Sequence, residues 1–408
     1  MLHVAIPVQD ELNWLPRCLS ALERQVGVEF TVWICVNQPD AWHRDGQQVE
    51  ICSANRQTLD WLDQDHSLRL EIIDRSSPGR GWEEKRGGVG RARKVIMDAI
   101  AERTGDQDLI VSLDADTELP RDYLKQVEQA FIRHPDRCGL SAPYRHPLTD
   151  DDSVNRAMLR YEIYMRYYAL NLWRIRSPYA FTALGSAIAL PVELYRQMGG
   201  ITPRAAAEDF YFLQKLAKHG RLIQSLDAVV MPATRKSWRV PVGTGQAIIA
   251  GCDGLHPQRY PLYDLRWFDD IGRTTETFEA LHERSRETPL DDFLNQKLKT
   301  SDPWQRLRQN NPDPQRFVRA CHERVDGLRI LQYLKERYRE SPSEDSETLQ
   351  RWLETTPHPD TSAQHAADRW AHEIATVGLD EMPTANLDAL RDFLFDLEAR
   401  CRKLDSES

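Results

Sequence analysis

Short apolar runs alternate with helically spaced leucines along the first third of the chain. His3–Val8, Phe30–Val36 and Leu68–Ile73 are β-favouring runs bounded by polar residues, and such runs read as buried strands. From Asp10 to about Arg24, Leu12, Leu15, Leu19 and Leu22 recur at helical spacing, with Pro16 near the first turn. Ile51, Leu59 and Leu62 mark the inner face of a helix over Val49–Leu62. A polar loop, Asp74 to Gly88, precedes a helix over Val89–Ala101. The run Leu109–Leu113 is a fourth strand, followed by a helix from Arg121 to His134. Strand and helix alternating at this spacing predict an α/β fold with a mostly parallel sheet flanked by helices.

The pattern then changes. Ser153–Trp173 is a long helix whose Met158, Tyr161, Met165, Tyr168 and Leu172 define one apolar stripe. Arg156, Arg160, Tyr164 and Tyr167 fall elsewhere on it, as a solvated basic face or as an aromatic platform for an acceptor. Phe181–Pro191 leads to a short helix stopped by Gly199-Gly200, and Ala205–Asp209 opens a helix over Phe210–His219. Leu222–Met231 holds one or two short strands, and Arg235–Gly245 is a basic loop. Beyond about Tyr263 the charged remainder reads as helices near Thr274–Arg286, Gln315–Arg339, Glu344–Leu353, Ala363–Ala375 and Leu387–Leu404. The expected division is an α/β domain over 1–262 and a helical C-terminal region over 263–408.

Composition narrows the function. The 408 residues carry a net charge of −10, which argues against nucleic acid as a partner. No apolar run is long enough to span a bilayer, and no signal peptide is expected. Peripheral membrane contact stays open. Seven scattered cysteines without a Cys-x-x-Cys pair point to a reducing cytoplasm rather than to disulfides or zinc.

The candidate chemistry sits where the fourth strand ends, in Leu113-Asp114-Ala115-Asp116-Thr117. Ionised aspartates are rarely buried without partners, so they belong at the strand's carboxyl end, where open α/β sheets bind ligands. Two aspartates two apart on an extended segment share a face, and hard oxygen ligands suit Mg²⁺ or Mn²⁺ carrying substrate phosphates. Ordinary turn chemistry after a strand is the competing reading.

Several segments, in order, resemble the family 2 glycosyltransferases, nucleotide-sugar-dependent enzymes of the GT-A fold. Ile6-Pro7-Val8-Gln9-Asp10-Glu11 is similar to their opening strand and turn. Gly88-Val89-Gly90-Arg91-Ala92-Arg93-Lys94 resembles their Gly-rich segment, and Asp114-Ala115-Asp116 their metal-binding Asp-x-Asp. Gly185-Ser186-Ala187, Gly199-Gly200 and Glu208-Asp209 resemble their acceptor side. The resemblance implies a sugar nucleotide as donor, with Pro7, Val8, Glu11, Asn37, Arg93, Asp114 and Ala115 as donor-binding candidates. It implies a divalent metal, Mg²⁺ or Mn²⁺, on Asp114 and Asp116, although Asp114 can instead lie nearer the ribose. Asp209 becomes the general base of an inverting displacement, beside Glu208. A carbohydrate or lipid-linked acceptor and a place in polysaccharide biosynthesis follow. Asp10, Asn37 and Lys94 depart from the usual family residues, which leaves the donor's identity open.

Three rival readings stand beside this. Glu208 and Asp209 also suit a helix N-terminus as simple capping carboxylates. Asp114 to Thr117 locally fits the first motif of haloacid-dehalogenase-type phosphatases, with Asp114 as nucleophile. The same scaffold could also be a non-catalytic sugar- or partner-binding protein.

Overall fold

A computed structural model describes residues 1–83, 88–204, 206–239 and 241–407. The end of the polar loop at 84–87, the first residue of the Ala205–Asp209 stretch, and position 240 of the basic loop lie outside the described residues. The chain forms two compact units. The first is built mainly from Met1–Met158 and Phe181–Ile249, the second from Leu159–Ala180 and Ala250–Asp405.

In the first unit the expected strands appear as β1 (Leu2–Val8), β2 (Phe30–Asn37), β3 (Leu70–Arg75) and β4 (Leu109–Ser112). They are joined by β6 (Gly139–Ser141), β7 (Ile188–Pro191) and β8 (Leu222–Ile223) into a seven-stranded sheet ordered β3-β2-β1-β4-β7-β6-β8. The neighbours β1–β2, β2–β3, β1–β4 and β6–β8 are parallel, and only β7 runs against its neighbours. A separate two-stranded ribbon pairs β5 (Thr117–Glu118) with β9 (Met231–Pro232). The mostly parallel sheet flanked by helices is the architecture the alternation predicts.

The sheet's middle explains where a ligand can go. β1 is buried along its whole length, as expected of a central parallel strand. It pairs with β4 only from Leu2 to Ala5. Pro7 therefore has a ladder partner on the β2 side alone, and its missing N–H breaks no bond to β4. β1 and β4 are also where the strand order reverses, the position at which open α/β sheets bind ligands.

Helices α1 (Leu15–Glu23), α2 (Val49–Leu62), α3 (Val89–Arg103) and α4 (Tyr123–Arg133) match the expected ones in place, though α1 starts five residues later than the leucine spacing suggests. Asp10 is left-handed, with φ of 56°, so the chain turns at Asp10 rather than entering a helix. Helix α3 packs against β1 and β2. Helix α5 (Asp152–Arg174) is the long helix, followed by α6 (Val192–Gln197), α7 (Glu208–Ala217) and α8 (Thr244–Cys252).

The second unit corrects the reading of α5. Buried residues surround it rather than forming one stripe, and include Leu159, Glu162, Ile163, Arg166, Tyr167, Leu170 and Asn171. Its basic residues are not a solvated face. Arg160 pairs with Asp345 at 2.9 Å, and Arg166 lies 3.1 Å from Glu162 and 2.7 Å from Glu398. Tyr161, Tyr164 and Tyr168 cluster with Tyr260 and Tyr263, which makes them packing residues of this unit.

After Pro232 every regular element among the described residues is helical. The helix expected over Thr274–Arg286 is instead two, Leu265–Glu276 and Phe278–Glu283. Asp264 starts the first by accepting from the Arg266 N–H at 2.9 Å. Likewise Asp326 begins a new helix, Gly327–Glu340, inside the single one expected over Gln315–Arg339.

Candidate active site

Strand β4 ends at Ser112, and the chain turns at once. The Thr117 N–H donates to the Asp114 carbonyl at 3.2 Å, closing a tight turn over Asp114–Thr117. The two aspartates therefore do not share a face of an extended segment, as the spacing suggested. The turn aims them at different partners.

Asp114 faces Arg93. The Arg93 Nη2 donates to Asp114 Oδ1 at 2.8 Å, and its Nη1 donates to the Gly185 carbonyl at 3.1 Å and to Ser112 Oγ. On its other edge, Nε lies 3.5 Å from Glu208 Oε1. Arg93 is 1% exposed. Burial works against its charge, but Asp114, Glu208 and Asp209 outweigh that and raise its pKa. Arg93 is thus a buried bridge between the turn after β4 and the start of α7.

Two glycines make the bridge possible. A side chain at Gly185 would collide with the Arg93 guanidinium. A Cβ at Gly90, in the first turn of α3, would stand 2.7 Å from the Arg204 carbonyl oxygen and 3.1 Å from Glu208 Cβ. The Gly-rich segment here serves close packing of α3 against the 204–208 stretch.

Helix α7 begins with Glu208 and Asp209, preceded by Ala207 in the left-handed region at φ 56°. An alanine held there costs energy, and such strain gathers at functional sites. Glu208 is buried. Asp209 keeps some exposed surface, and its Oδ1 accepts from the Phe210 N–H at 2.7 Å. Neither carboxylate occupies the N-cap position, which is Ala207. The Asp209 pKa is pushed up to about 7, chiefly by burial and then by the Glu208 charge. Arg93 opposes this and Asp114 adds to it. The rings of Phe181, Phe210 and Tyr211 succeed one another beside it.

Asp116 meets a different guanidinium, that of Arg235. Arg235 donates to its Oδ2 from Nη2 at 2.6 Å and from Nε at 2.8 Å. The same Nη2 reaches Glu11 Oε1 at 2.6 Å, and Arg239 also donates to Glu11. Glu11 is buried, and burial raises its pKa against the pull of Arg239 and Arg235.

A divalent cation fits this arrangement in one way. Among the described residues no three His, Cys, Asp or Glu converge as a ready-made cage. Arg93 takes Oδ1 of Asp114 and Arg235 takes Oδ2 of Asp116, so each carboxylate keeps one oxygen outside those bonds. The Asp114 side chain is 37% exposed. One or two carboxylates completed by substrate phosphates and water is the usual Mg²⁺ arrangement.

The remaining candidates have varied places. Pro7, Val8 and Ala115 line the ends of β1 and β4, and Val8 and Ala115 are buried. Asn37 is buried, with Nδ2 donating to the Val8 carbonyl at 2.8 Å and Oδ1 accepting from Trp82 Nε1 at 3.0 Å. Its amide positions Trp82 from within the protein. Arg91 lies over Trp82, its Cζ 5.2 Å from the ring. Lys94 pairs along its own helix with Asp98 at 2.9 Å.

Residues 109–301 match the model of the family described as Glycosyl transferase family group 2. That segment is similar to glycosyl transferase family group 2. The match contains Asp114–Thr117, the residues that carried the phosphatase reading. Among curated proteins no sequence matches the chain. Similar solved structures include TarS 1–349 of S. aureus in complex with UDP-GlcNAc, at 14% identity and a TM-score of 0.41, covering 83% of this chain and 91% of that one. A mannosyltransferase, PcManGT from Pyrobaculum calidifontis in complex with GDP-Man and Mn²⁺, has 16% identity and a TM-score of 0.42, covering 100% of this chain and 88% of that one.

Within the matched segment, sequence reasoning left Arg235 in a basic loop without a role. The ribbon of β5 and β9 delivers it. Thr117 pairs with Pro232, and the Ala233 N–H continues the pairing by donating to the Asp116 carbonyl at 3.1 Å. A two-residue strand carries too little periodicity to be read in advance.

Proposed function

We propose that the chain is an inverting glycosyltransferase that moves a hexosyl group from a nucleotide-diphosphate sugar to an acceptor hydroxyl. One observation carries this reading. Arg93 joins Asp114, at the ligand-binding end of β4, to Glu208, and the neighbouring Asp209 has its pKa raised to about 7. A carboxylate with a pKa near the working pH is well placed to act as a base.

In this reading the donor lies against the ends of β1 and β4, with Pro7, Val8, Glu11, Asn37, Arg93, Asp114 and Ala115 forming or shaping its site. Asp209 takes the proton of the acceptor hydroxyl. That oxygen bonds to the anomeric carbon as the bond to the diphosphate oxygen breaks, and the nucleoside diphosphate departs. A single displacement inverts the anomeric centre. Glu208 holds Arg93 and is a positioning residue. Asp114 and Asp116 would hold a divalent cation, Mg²⁺ or Mn²⁺, which when bound supplies Lewis-acid stabilisation to the leaving diphosphate. The acceptor is a carbohydrate or lipid-linked glycan, consistent with polysaccharide biosynthesis. Among the described residues no helix is long and apolar enough to cross a membrane. The seven cysteines are scattered along the sequence without a Cys-x-x-Cys pair, which suits a reducing cytoplasm.

The test is Asp209→Asn. Transfer from UDP- or GDP-sugars should stop while nucleoside diphosphate still binds. Undiminished turnover rejects the assignment, and absence of metal-dependent donor hydrolysis in the wild type would favour a binding protein.

A further inference from the structure

Asp116 and Glu11 share one guanidinium, and a second one closes over Glu11. Arg235 Nη2 sits 2.6 Å from each carboxylate, while Arg239 donates to Glu11 and, at 2.8 Å, to the Gln9 carbonyl. Arg235 also lies over the Trp14 ring, its Cζ 5.1 Å from the centroid. The cluster is largely enclosed, with Asp116 at 16% and Arg235 at 20% side-chain exposure. Two carboxylates and two guanidiniums sum to zero formal charge.

This balance bears on how a cation reaches Asp116. A bare divalent ion on the free oxygen of Asp116 would add two positive charges to a neutral, poorly solvated cluster, close to Arg235. Charge repulsion at such range is costly wherever the effective dielectric is below that of water. An ion arriving with a nucleoside diphosphate adds no net positive charge, because the diphosphate's negative charge matches or exceeds that of the ion. The phosphates also offer Arg235 a pair of oxygens for the bidentate contact that a guanidinium favours.

We propose that Arg235 is the resident counter-cation of Asp116. It excludes a bare divalent ion and releases the carboxylate only when the ion comes with a nucleoside diphosphate that takes over the guanidinium. This rests on the reading of Asp116 as a metal-binding residue given under Proposed function.

The experiment is Mn²⁺ binding, read from the paramagnetic resonance signal of free Mn²⁺, with and without UDP or GDP. Wild-type protein should bind Mn²⁺ alone at least tenfold more weakly than with the nucleotide. Arg235→Gln should bind Mn²⁺ alone at least tenfold more tightly than wild type, and adding Asp116→Asn should abolish that gain. Arg235→Lys, which keeps the charge, should stay near wild type. Unchanged Mn²⁺ affinity in Arg235→Gln overturns the proposal, as does a gain that survives Asp116→Asn. If Arg235→Gln fails to melt cooperatively in EDTA, the wild-type and Arg235→Lys measurements decide, and tight binding of Mn²⁺ alone by either overturns it. Should Asp116→Asn leave nucleotide-dependent Mn²⁺ binding intact, the metal assignment itself fails. Should it abolish that binding while Arg235→Gln changes nothing, only the present proposal fails.

Discussion

Arg93 Nη2 lies 2.8 Å from Asp114 Oδ1, and the far edge of the same guanidinium meets Glu208. This contact makes the turn after β4 and the start of α7 one electrostatic unit. The family resemblance offered Arg93 as a donor-binding residue. The structure shows it committed to protein partners and almost wholly buried, so its role is to hold the two carboxylate segments in register.

Removing that bridge should be costly in two ways. Arg93→Met deprives Asp114 and Glu208 of their shared counter-charge, and breaking a buried pair from one side costs ~3–5 kcal/mol. Chemical denaturation measures this directly. Arg93 also lowers the Asp209 pKa. The acid limb of any residual activity should therefore move to higher pH in this variant.

The pH dependence of the wild type follows from Asp209. Its pKa is raised to about 7, and in the proposed role as base it must be deprotonated to accept a proton. Transfer should rise with pH through a midpoint near 7 in kcat/KM, and the limb should be absent from any residual activity of Asp209→Asn. Stability runs the opposite way. A carboxyl whose folded pKa exceeds its unfolded value stabilises the fold fully below the unfolded value and loses that contribution as pH rises through the folded one. Between about pH 4 and 7 the wild-type melting temperature should fall relative to that of Asp209→Asn.

Gly90→Ala tests the packing of α3 against the 204–208 stretch. On helix propensity alone, alanine would stabilise by up to ~1 kcal/mol. Here its Cβ would press on the Arg204 carbonyl oxygen, and overpacking costs ~1–3 kcal/mol. A net destabilisation in thermal melts is expected, with loss of transfer because Glu208 is displaced. A stabilised, fully active variant would contradict the close approach.

In the helical unit, Glu162 lies between Arg166 and Arg391, at 3.1 and 3.5 Å, and all three are almost completely buried. Glu162→Ala removes a counter-charge common to both guanidiniums. A loss of ~3–5 kcal/mol is expected, read by urea denaturation, and a change below ~1 kcal/mol would show that the other partners suffice.

The strands β1 to β4 and the helices between them were legible because each has a run long enough to show a period of two or of 3.6 residues. Asp114, Asp116, Glu208 and Asp209 were legible as chemistry, since carboxylates after an apolar run or at a helix start invite explanation. The orientation of each was not. Asp114 and Asp116 take different arginine partners because the chain turns after β4, and a turn's side-chain directions depend on backbone dihedrals that residue types only bias. The buried charges on α5 defeated the amphipathic reading, since Glu162 and Arg166 find partners from a helix more than two hundred residues away.

Local periodicity along the chain was enough to predict a mostly parallel α/β sheet and a helical remainder. Only the folded chain decided that Arg93 bridges two carboxylates, that Asn37 turns its amide inward to Trp82, and that Arg235 reaches Asp116. Each of these joins residues far apart in sequence through ion pairs or hydrogen bonds. Their energy depends on distance and burial, and neither is set until the elements pack.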